Sequence, residues 1–383
     1  MAAAAPGTRH AQALPRVRIA RVEAIALGLP MVKPVKMSFE EVRCADNLVV
    51  RVETDDGVVG WGEAASAPTM TGDTAAGMVA AARHLAPVMR GLDASAPAAA
   101  IAAVDRYLYG NHGAKSAIEM ALYDALGRAA GRPLYELLGG QRRSRIPLLR
   151  MIGTGSVAGD LEEAKRSKAE GYVAYKIKVG VADPGEDATR TRAICEVLGD
   201  DVLVCADANQ GWAVEQAIMY VHAVADTSLA FFEQPVAADD VAGMARVARA
   251  SRIPIGVDEG LHGMDDLRRH HDAGAASGCS LKTIKLGGLG PVCEAARLCE
   301  ALGMQVNLAC KIAESGIATA AMLHLAAVVP NVSWGVSLTS QYLSADVVRG
   351  LPAVVRGHME VPTGPGLGVD IDEERVRHYA RSL

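Results

Sequence analysis

The sequence has little net charge, no long hydrophobic run and no paired cysteine motif. Its 39 basic and 44 acidic residues leave a formal net charge of −5 over 383 residues, so no global basic field attracts nucleic acid or an anionic membrane surface. No window approaches the ~18 uncharged apolar residues that a transmembrane helix needs. These absences argue against nucleic-acid and membrane partners and favour an enzyme that acts on a small molecule.

The seven cysteines show no pattern of a disulfide framework or a zinc site. Their number is odd, they are scattered among apolar neighbours, and none forms a CxxC pair. We therefore expect reduced core residues in a cytoplasmic protein. Residues 1–15 are small and polar and lack the apolar segment of a secretory signal, so they are predicted to form a disordered extension.

The chain is long enough for one barrel of about 250 residues and a smaller domain. Residues 17–64 alternate like an antiparallel sheet with a DDG turn, and residues 74–138 change to a helical period. A group of strands followed by a group of helices predicts an α+β domain over residues 16–142. Within it, the segment 30–47 is interpreted as a loop.

Beyond residue 143 the pattern becomes repetitive. Eight strand-like runs, from IPLLRMIG to VSWGVS, alternate with amphipathic helices. Because strand, crossover and parallel strand repeat with one handedness, the expected fold class is α/β, with a closed barrel over residues 143–345. No comparable helix directly follows the eighth run. The turn-rich tail, residues 346–383, is expected to return to the first domain.

Three acidic residues each end a strand-like run. Asp207, Glu233 and Asp258 close VLVCAD, LAFFE and IPIGVD and recur 26 and 25 residues apart, the period of one strand plus one helix in an α/β barrel. A helix N-cap would explain any one of them. Three in succession at the catalytic face of a barrel instead predict metal ligands, and hard oxygen donors favour Mg²⁺, with Mn²⁺ as the alternative.

Lysines on the neighbouring runs flank these carboxylates. Lys176 and Lys178 alternate with apolar residues in AYKIK and are predicted to point into the barrel, although a solvated edge strand is the alternative. Mutual repulsion and desolvation would lower a lysine pKa, as a neutral amine base requires, and Lys178 is the predicted base. Lys282 and Lys285 lie three apart in CSLKTIK and are expected to face opposite ways, one catalytic and one supporting.

Two further polar residues stand beside the acidic positions. Asn209, two residues after Asp207, is expected to hydrogen-bond a ligand or a carboxylate, or alternatively to be a turn residue. Glu259 is expected to point away from Asp258 and pair with a lysine, and its alternative role is that of a third metal ligand.

The stretch LACKIAESGIA follows the seventh run. Ser315 is interpreted either as a helix N-cap or, with Glu314, as a substrate contact. Lys311 either faces solvent or neutralises an anionic substrate. His262, His270 and His271 lie in helical surroundings without ligand spacing and are assigned no role.

The ordered motifs KIK, DAN, FFEQP, VDEG, LKTIKLGG and AESGI, with WGEA before them and PGLG after them, resemble the enolase superfamily and its muconate lactonizing enzyme subgroup. The resemblance covers essentially the whole chain after the extension. It implies an N-terminal α+β capping domain over a (β/α)₇β modified TIM barrel, and a symmetric homo-oligomer. It also implies that Asp207, Glu233 and Asp258 hold Mg²⁺, with Lys178 and Lys282 as an opposed acid/base pair.

The reaction that the resemblance implies begins with removal of the proton α to a carboxylate. An enediolate then leads to racemisation or epimerisation, or to dehydration, of a small amino-acid-like carboxylate such as cis-3-hydroxyproline. A muconate-type cycloisomerase, a dipeptide epimerase and a metal-dependent binding protein are the alternatives. Specificity is expected from the segment 30–47, which contains Lys33, Lys36 and Met37, and from the segment 64–73.

Overall fold

The computed structural model describes residues 16–36 and 41–382. The predicted extension, residues 1–15, and Met37 lie outside the described residues. The strands are β1 (Ile19–Lys36), β2 (Glu41–Thr54), β3 (Val59–Ala65), β4 (Arg145–Pro147), β5 (Leu149–Ile152), β6 (Ala174–Lys178), β7 (Leu203–Asp207), β8 (Leu229–Glu233), β9 (Ile255–Val257), β10 (Gly278–Leu281), β11 (Gln305–Ala309), β12 (Val336–Ser337), β13 (Val348–Arg349), β14 (His358–Glu360), β15 (Asp370–Ile371) and β16 (Ala380–Arg381).

The helices alternate with the strands through the second half of the chain. They are α1 (Ala75–Met89), α2 (Pro97–Val104), α3 (His112–Ala130), α4 (Leu134–Leu137), α5 (Val157–Ala169), α6 (Pro184–Leu198), α7 (Val214–Ala223), α8 (Val241–Ala250), α9 (Met264–Asp272), α10 (Thr283–Leu286), α11 (Leu289–Leu302), α12 (Gly316–Val328) and α13 (Glu373–Tyr379). None of those in the described ranges is long and apolar enough to cross a membrane. All seven cysteines are free thiols, and six of them are buried.

An antiparallel sheet in the order β16-β1-β2-β3 forms the cap with α1, α2 and α3. The interpretation of residues 30–47 as a loop is wrong, because β1 and β2 continue as a long hairpin in which Val35 pairs with Val42. The register shifts between Pro30 and Val35, and such an irregularity is where a strand tolerates proline. The hairpin therefore extends past the end of β3, whose pairing with β2 stops at Asn47, and reaches the barrel, where Met31 bridges to Leu343.

Two glycines let helix α3 lie directly on strand β3. A Cβ atom at Gly60 would come within 2.1 Å of the Ala121 carbonyl oxygen, and one at Gly62 within 2.0 Å of the Ala117 carbonyl oxygen. The helix presents alanines on that face, so backbone packs on backbone with no space for a larger group. The glycine of the WGEA motif, Gly62, and the preceding Gly60 are thus explained by packing, and the glutamate of the motif, Glu63, points elsewhere.

The second half of the chain is an eight-stranded parallel sheet in the order β12-β11-β10-β9-β8-β7-β6-β5. A parallel bridge between Leu148 and Val336 joins its first and last strands, so the predicted α/β barrel with an α+β cap is confirmed. Two runs differ from expectation. The first run is divided into β4, which pairs with β14, and β5 in the barrel. The sixth run ends as a strand at Leu281 and continues as helix α10.

Large apolar side chains fill the end of the barrel opposite the carboxylates. The rings of Phe231 and Trp334 stack with centroids 4.1 Å apart and planes 3° from parallel. Trp334 also occupies the space over Gly256 and Gly278, where a Cβ at Gly278 would come within 2.4 Å of the indole. The barrel is therefore a packed core at this end, and its polar side chains gather at the carboxyl ends of the strands.

The cap docks on the barrel through helix α3. Glu119 accepts hydrogen bonds from the backbone N–H groups of Leu289 and, at 3.3 Å, Gly290, at the start of α11. His112 Nδ1 lies 2.7 Å from the carbonyl oxygen of Lys285. At the other end of the chain, β16 pairs with β1. The predicted domain boundaries remain a prediction, although these pairings show how the tail lies against the cap.

The Glu119 carboxyl gives a pH-dependent prediction. Burial raises its pKa to about 7, so the folded state keeps this proton while the unfolded state has lost it, and stability falls as pH rises through this window. We expect the free energy of unfolding of the wild type, relative to Glu119→Gln, to drop by about 3 kcal/mol between pH ~4.5 and ~7.5. Urea denaturation measures it. The exposed matched variant Glu162→Gln retains Glu119 and should show the same slope as the wild type, whereas Glu119→Gln should lose it. Equal slopes in all three proteins would contradict the prediction.

Candidate active site at the mouth of the barrel

The three carboxylates predicted as ligands lie side by side at the carboxyl ends of adjacent strands. Asp207 and Glu233 are the last residues of β7 and β8 and pair directly in register, and Asp258 follows β9 immediately. Each is about 1% exposed. Because buried carboxylates are costly unless compensated, their neighbours must supply positive charge.

Strand β6 supplies two of the compensating cations. Lys176 Nζ lies 2.5 Å from Glu233 Oε2 and 3.7 Å from Asp207 Oδ2. Lys178 Nζ donates to Asp207 Oδ2 at 2.6 Å and to Asn209 Oδ1 at 2.7 Å. Both lysines line the same cavity, so the prediction that they point into the barrel is confirmed and the solvated edge strand is wrong.

Lys282 and Lys285 both reach Asp258, contrary to the expectation that they face opposite ways. Strand β10 ends at Leu281, and Lys282 is the N-cap of α10, so the two residues lie one helical turn apart rather than on a pleat. Lys282 donates to Asp258 Oδ2. Lys285 lies 2.6 Å from Asp258 Oδ1 and also donates to the carbonyl oxygen of Ser280 at 2.9 Å. Lys282 lines the cavity, whereas Lys285 is fully buried behind it.

The electrostatics of the cluster raise, rather than lower, the pKa of Lys176 on β6. Burial would lower the pKa of Lys176, but the nearby Glu233 and Asp207 outweigh it and raise that pKa well above its usual value. Lys282 is raised in the same way by Asp258 and Glu233 against the effect of burial. A lowered pKa occurs instead at Lys285, where burial dominates.

The pKa values of the carboxylates are shifted as well. Burial raises the pKa of Asp258, but Lys282 and Lys285 more than offset it, so its pKa lies far below the usual range. The pKa of Glu233 is raised, because burial exceeds the effect of Lys176. The cluster is thus a set of ion pairs in which the lysines occupy the carboxylate oxygens.

The donor set fits a hard divalent cation. Three carboxylate groups on adjacent strand ends are the oxygen ligands that Mg²⁺ or Mn²⁺ prefers. In the described part of the chain, however, no three carboxylate, imidazole or thiol side chains are already spaced to hold a metal. Lys178, Lys176 and Lys282 instead donate to oxygens of Asp207, Glu233 and Asp258. A bound cation would replace these lysine contacts.

Asn209 and Glu259 are joined within the cavity. Asn209 Nδ2 donates to Glu259 Oε1 at 3.0 Å, and the Asn209 backbone N–H donates to Asp207 Oδ1 at 3.0 Å. The expectation that Glu259 turns away from Asp258 is wrong, because β9 has ended at Val257 and both acids line the cavity. The second oxygen of Glu259 is buried without a hydrogen-bond partner. Burial, followed by Asp258 and Asp207, raises the pKa of Glu259 to about 7.

Residues of the seventh strand's loop divide between the cavity and the layer behind it. Lys311 lines the cavity, whereas Glu314 is buried behind it and accepts from the Lys311 backbone N–H at 3.1 Å. Burial raises the pKa of Glu314 to about 8. Ser315 is the N-cap of α12, as one of its two interpretations predicts. The supporting role assigned to Glu314 remains a prediction.

Three contributors to the site were missed from the sequence. Gln234 follows Glu233 with φ of 36° and accepts at Oε1 from the backbone N–H groups of Asp258 and Gly260, at 2.9 and 3.1 Å. Gln234 thereby fixes the turn that carries Asp258. Its position in the FFEQP motif was the sequence signal that could have identified it. His262 Nε2 lies 2.7 Å from the carbonyl oxygen of Met70. Tyr342, in the short 3₁₀ helix Ser340–Tyr342, lines the cavity.

Both cap segments expected to set specificity contribute to the cavity. The hairpin supplies Val35, and the segment 64–73 supplies Thr69 and Met70. Lys33 is exposed and is not among the residues that line it. Barrel residues complete the described walls, which are lined by Val35, Thr69, Met70, Leu149, Met151, Lys176, Lys178, Asp207, Asn209, Gln210, Asp258, Glu259, Lys282, Ala309, Cys310, Lys311, Ile312, Ser337, Leu338, Thr339 and Tyr342.

Comparisons with known proteins agree with this geometry over nearly the whole chain. Residues 160–375 match the family model "Enolase C-terminal domain-like", and residues 21–139 match "Mandelate racemase / muconate lactonizing enzyme, N-terminal domain". Muconate cycloisomerase 1-2 of Acinetobacter lwoffii is 32% identical over 375 residues, covering 95% of this chain and 96% of that protein. Chloromuconate cycloisomerase CbnB of Cupriavidus necator is 31% identical over 370 residues, covering 94% and 100%.

Solved structures give the same result. The muconate lactonizing enzyme from Pseudomonas fluorescens complexed with muconolactone has a TM-score of 0.91 at 30% identity, covering 95% of this chain and 100% of that one. The N-succinyl Arg/Lys racemase from Bacillus cereus has a TM-score of 0.90 at 27% identity, covering 95% and 98%. The chain is therefore an enzyme of the enolase superfamily and belongs to its muconate lactonizing enzyme subgroup.

Proposed function

We propose that the enzyme is Mg²⁺-dependent and removes the proton α to the carboxylate of a small substrate. The observation that carries the proposal is the placement of Lys178 and Lys282. They lie on β6 and at the end of β10, on either side of the three strands that carry the carboxylates, and both line one cavity. A substrate carboxylate held between them would present one face of its α-carbon to each amine.

Asp207, Glu233 and Asp258 are the residues that would hold Mg²⁺, or Mn²⁺ in its place. When bound, the cation stabilises the doubly negative enediolate that α-proton removal creates. Its charge would also compensate the buried carboxylates in place of the lysines, which leaves Lys178 and Lys282 available for proton transfer. Asn209 would keep Lys178 directed at the cavity, since its side-chain oxygen accepts from Nζ at 2.7 Å.

The two lysines account for the outcomes that this chemistry allows. If the neutral amine of one lysine takes the α-proton and the ammonium of the other returns a proton to the opposite face, the centre is inverted. If instead an ammonium proton leaves with a β-hydroxyl group as water, the product is that of dehydration. General acid–base steps of this kind contribute about 10²- to 10⁴-fold each to the rate.

We favour a small amino-acid-like carboxylate as substrate, with a proline derivative such as cis-3-hydroxyproline within that class. The support comes from Glu259, whose second oxygen is buried at the cavity without a partner. An ammonium or secondary amine next to the α-carbon would satisfy that oxygen by a charge-assisted hydrogen bond.

A muconate-type cycloisomerase is the second candidate. Two observations favour it: the curated relatives named above are muconate and chloromuconate cycloisomerases, and Lys311 places a further cation on the cavity wall. A diacid would direct one carboxylate to the metal site and the other toward such a cation.

We also propose a symmetric homo-oligomer in solution, which size-exclusion chromatography with light scattering measures.

The lysine pair is tested by isotope exchange. For any accepted substrate in deuterium oxide, Lys178→Ala and Lys282→Ala should each slow α-proton exchange or turnover from one face by about 100-fold or more. Proton NMR follows the loss of the α-proton signal. Lys165→Ala, an exposed lysine paired with Glu162 on α5, serves as the matched control. Unchanged exchange in both cavity variants would rule out the two-lysine mechanism.

The metal site is tested without a substrate. Mg²⁺ should raise the melting temperature of the wild type, because a ligand that binds only the folded state stabilises it. Asp207→Asn and Glu233→Gln should weaken binding by at least about tenfold in calorimetric titration, since each loses a carboxylate ligand. The exposed Asp265→Asn should bind as the wild type does. Equal Mg²⁺ affinity in all variants would place the cation elsewhere.

The substrate classes are separated by one variant and two assays. Glu259→Gln should raise KM about 10- to 100-fold for an amino-acid substrate, because a charged hydrogen bond is lost. It should leave KM for muconate nearly unchanged. Turnover of muconate is followed by loss of diene absorbance and that of amino acids or hydroxyprolines by α-proton exchange. Muconate turnover with no exchange in any amino acid would replace the first candidate by the second.

A further inference from the structure

The segment between β11 and α12 forms part of the cavity wall and is conformationally strained. Its residues are 310–315, here called the wall segment, and Cys310, Lys311 and Ile312 line the cavity. Ala313 follows with φ of 70°, a left-handed conformation that a residue with a Cβ seldom adopts. Such a conformation persists only when surrounding contacts hold it.

The cap provides those contacts through Asn47 on β2. Asn47 Nδ2 donates to the carbonyl oxygen of Ala313 at 2.9 Å and to Glu63 Oε1 at 2.6 Å. Asn47 is 1% exposed and does not line the cavity that contains Lys178 and Lys282. Asn47 of the cap thus hydrogen-bonds to the strained residue and lies outside the cavity in which the substrate is proposed to bind.

Glu63 on β3 holds the other end of the wall segment. Its carboxyl accepts from the Ser315 backbone N–H at 3.0 Å, from Ser315 Oγ at 2.6 Å and from the Ala318 backbone N–H at 3.1 Å. Helix α12 is buried along its whole length, so its first N–H groups need protein acceptors. A carboxylate from the cap meets that need at the positive end of the helix dipole.

Glu63 serves as a hydrogen-bond acceptor at this position. Both oxygens accept hydrogen bonds, and the titratable groups around it, Glu314, Cys310 and Asp346, are all acidic. Burial raises the pKa of Glu63 to about 7. The hydrogen-bond pattern nevertheless requires an acceptor, so a neutral group with a donor at this position would oppose the backbone N–H groups.

We propose that Asn47 and Glu63 are positioning residues through which the cap sets the conformation of the wall segment and hence the fit of the distal part of the substrate. The proposal concerns the cap-to-wall contact and stands independently of which reaction the site performs. Only its kinetic test rests on the proposed function.

Hydrogen exchange with mass spectrometry tests the contact without any substrate. In Asn47→Ala and in the isosteric Glu63→Gln, peptides that cover residues 310–318 should exchange at least about tenfold faster than in the wild type. Peptides from β6 and β7 should be unchanged. The matched control is Asn331→Ala, since Asn331 Nδ2 donates at 3.1 Å to the Met304 carbonyl oxygen away from the wall segment. Unchanged exchange at 310–318, or equal acceleration throughout, would overturn the proposal.

The kinetic test separates positioning from general destabilisation. With an accepted substrate, Asn47→Ala should raise KM about five- to tenfold, with kcat and Mg²⁺ affinity nearly unchanged. Ala313→Gly in that background should restore KM in part, because glycine adopts the left-handed conformation without strain. A parallel loss of kcat and Mg²⁺ affinity, or no recovery with glycine, would contradict a positioning role. If no substrate is turned over, the proposed function fails while the exchange result still decides this proposal.

Discussion

Buried carboxylates paired with buried ammonium groups hold the mouth of this barrel together. Asp207, Glu233 and Asp258 are all within the protein, where an uncompensated charge costs several kcal/mol. Lys176 and Lys282 bring positive charge to them from the strands on either side. Asp207 pairs with Lys178 on the adjacent strand β6, Glu233 with Lys176 two strands away, and Asp258 with Lys282 at the end of the adjacent β10. In the proposed mechanism, a divalent cation would replace these contacts and leave the lysines available for proton transfer.

The cap docks on the barrel through carboxyl groups that accept hydrogen bonds from helix N-termini. Glu119 meets the N-terminus of α11, and Glu63 meets that of α12. In both places a carboxyl group from the cap faces the positive end of a barrel helix. These helices follow β10, which leads to Lys282, and β11, which leads to the wall segment. Docking of the cap thus acts directly on two of the parts that surround the cavity.

The same scaffold serves more than one reaction among its relatives. A muconate lactonizing enzyme and an N-succinyl Arg/Lys racemase both superpose on the chain with TM-scores of about 0.9. The carboxylates and lysines would serve either chemistry, so discrimination falls to the rest of the cavity. There the cap contributes Val35, Thr69 and Met70, and the wall segment contributes Lys311. In a site of this kind, one set of residues performs the chemical step and a different set selects the substrate.

The sequence by itself determined the barrel, the cap and the candidate site, because strand periodicity and the spacing of Asp207, Glu233 and Asp258 are local patterns. It misjudged the hairpin over residues 30–47 and the direction of Lys285, because a register shift and the turn into α10 depend on what packs against each segment. The positions of Glu259, Gln234 and Glu63 were decided by tertiary structure alone. The role of a buried polar group depends on its hydrogen-bond partners. The partners of these three residues lie in other elements of the barrel or across the contact between cap and barrel.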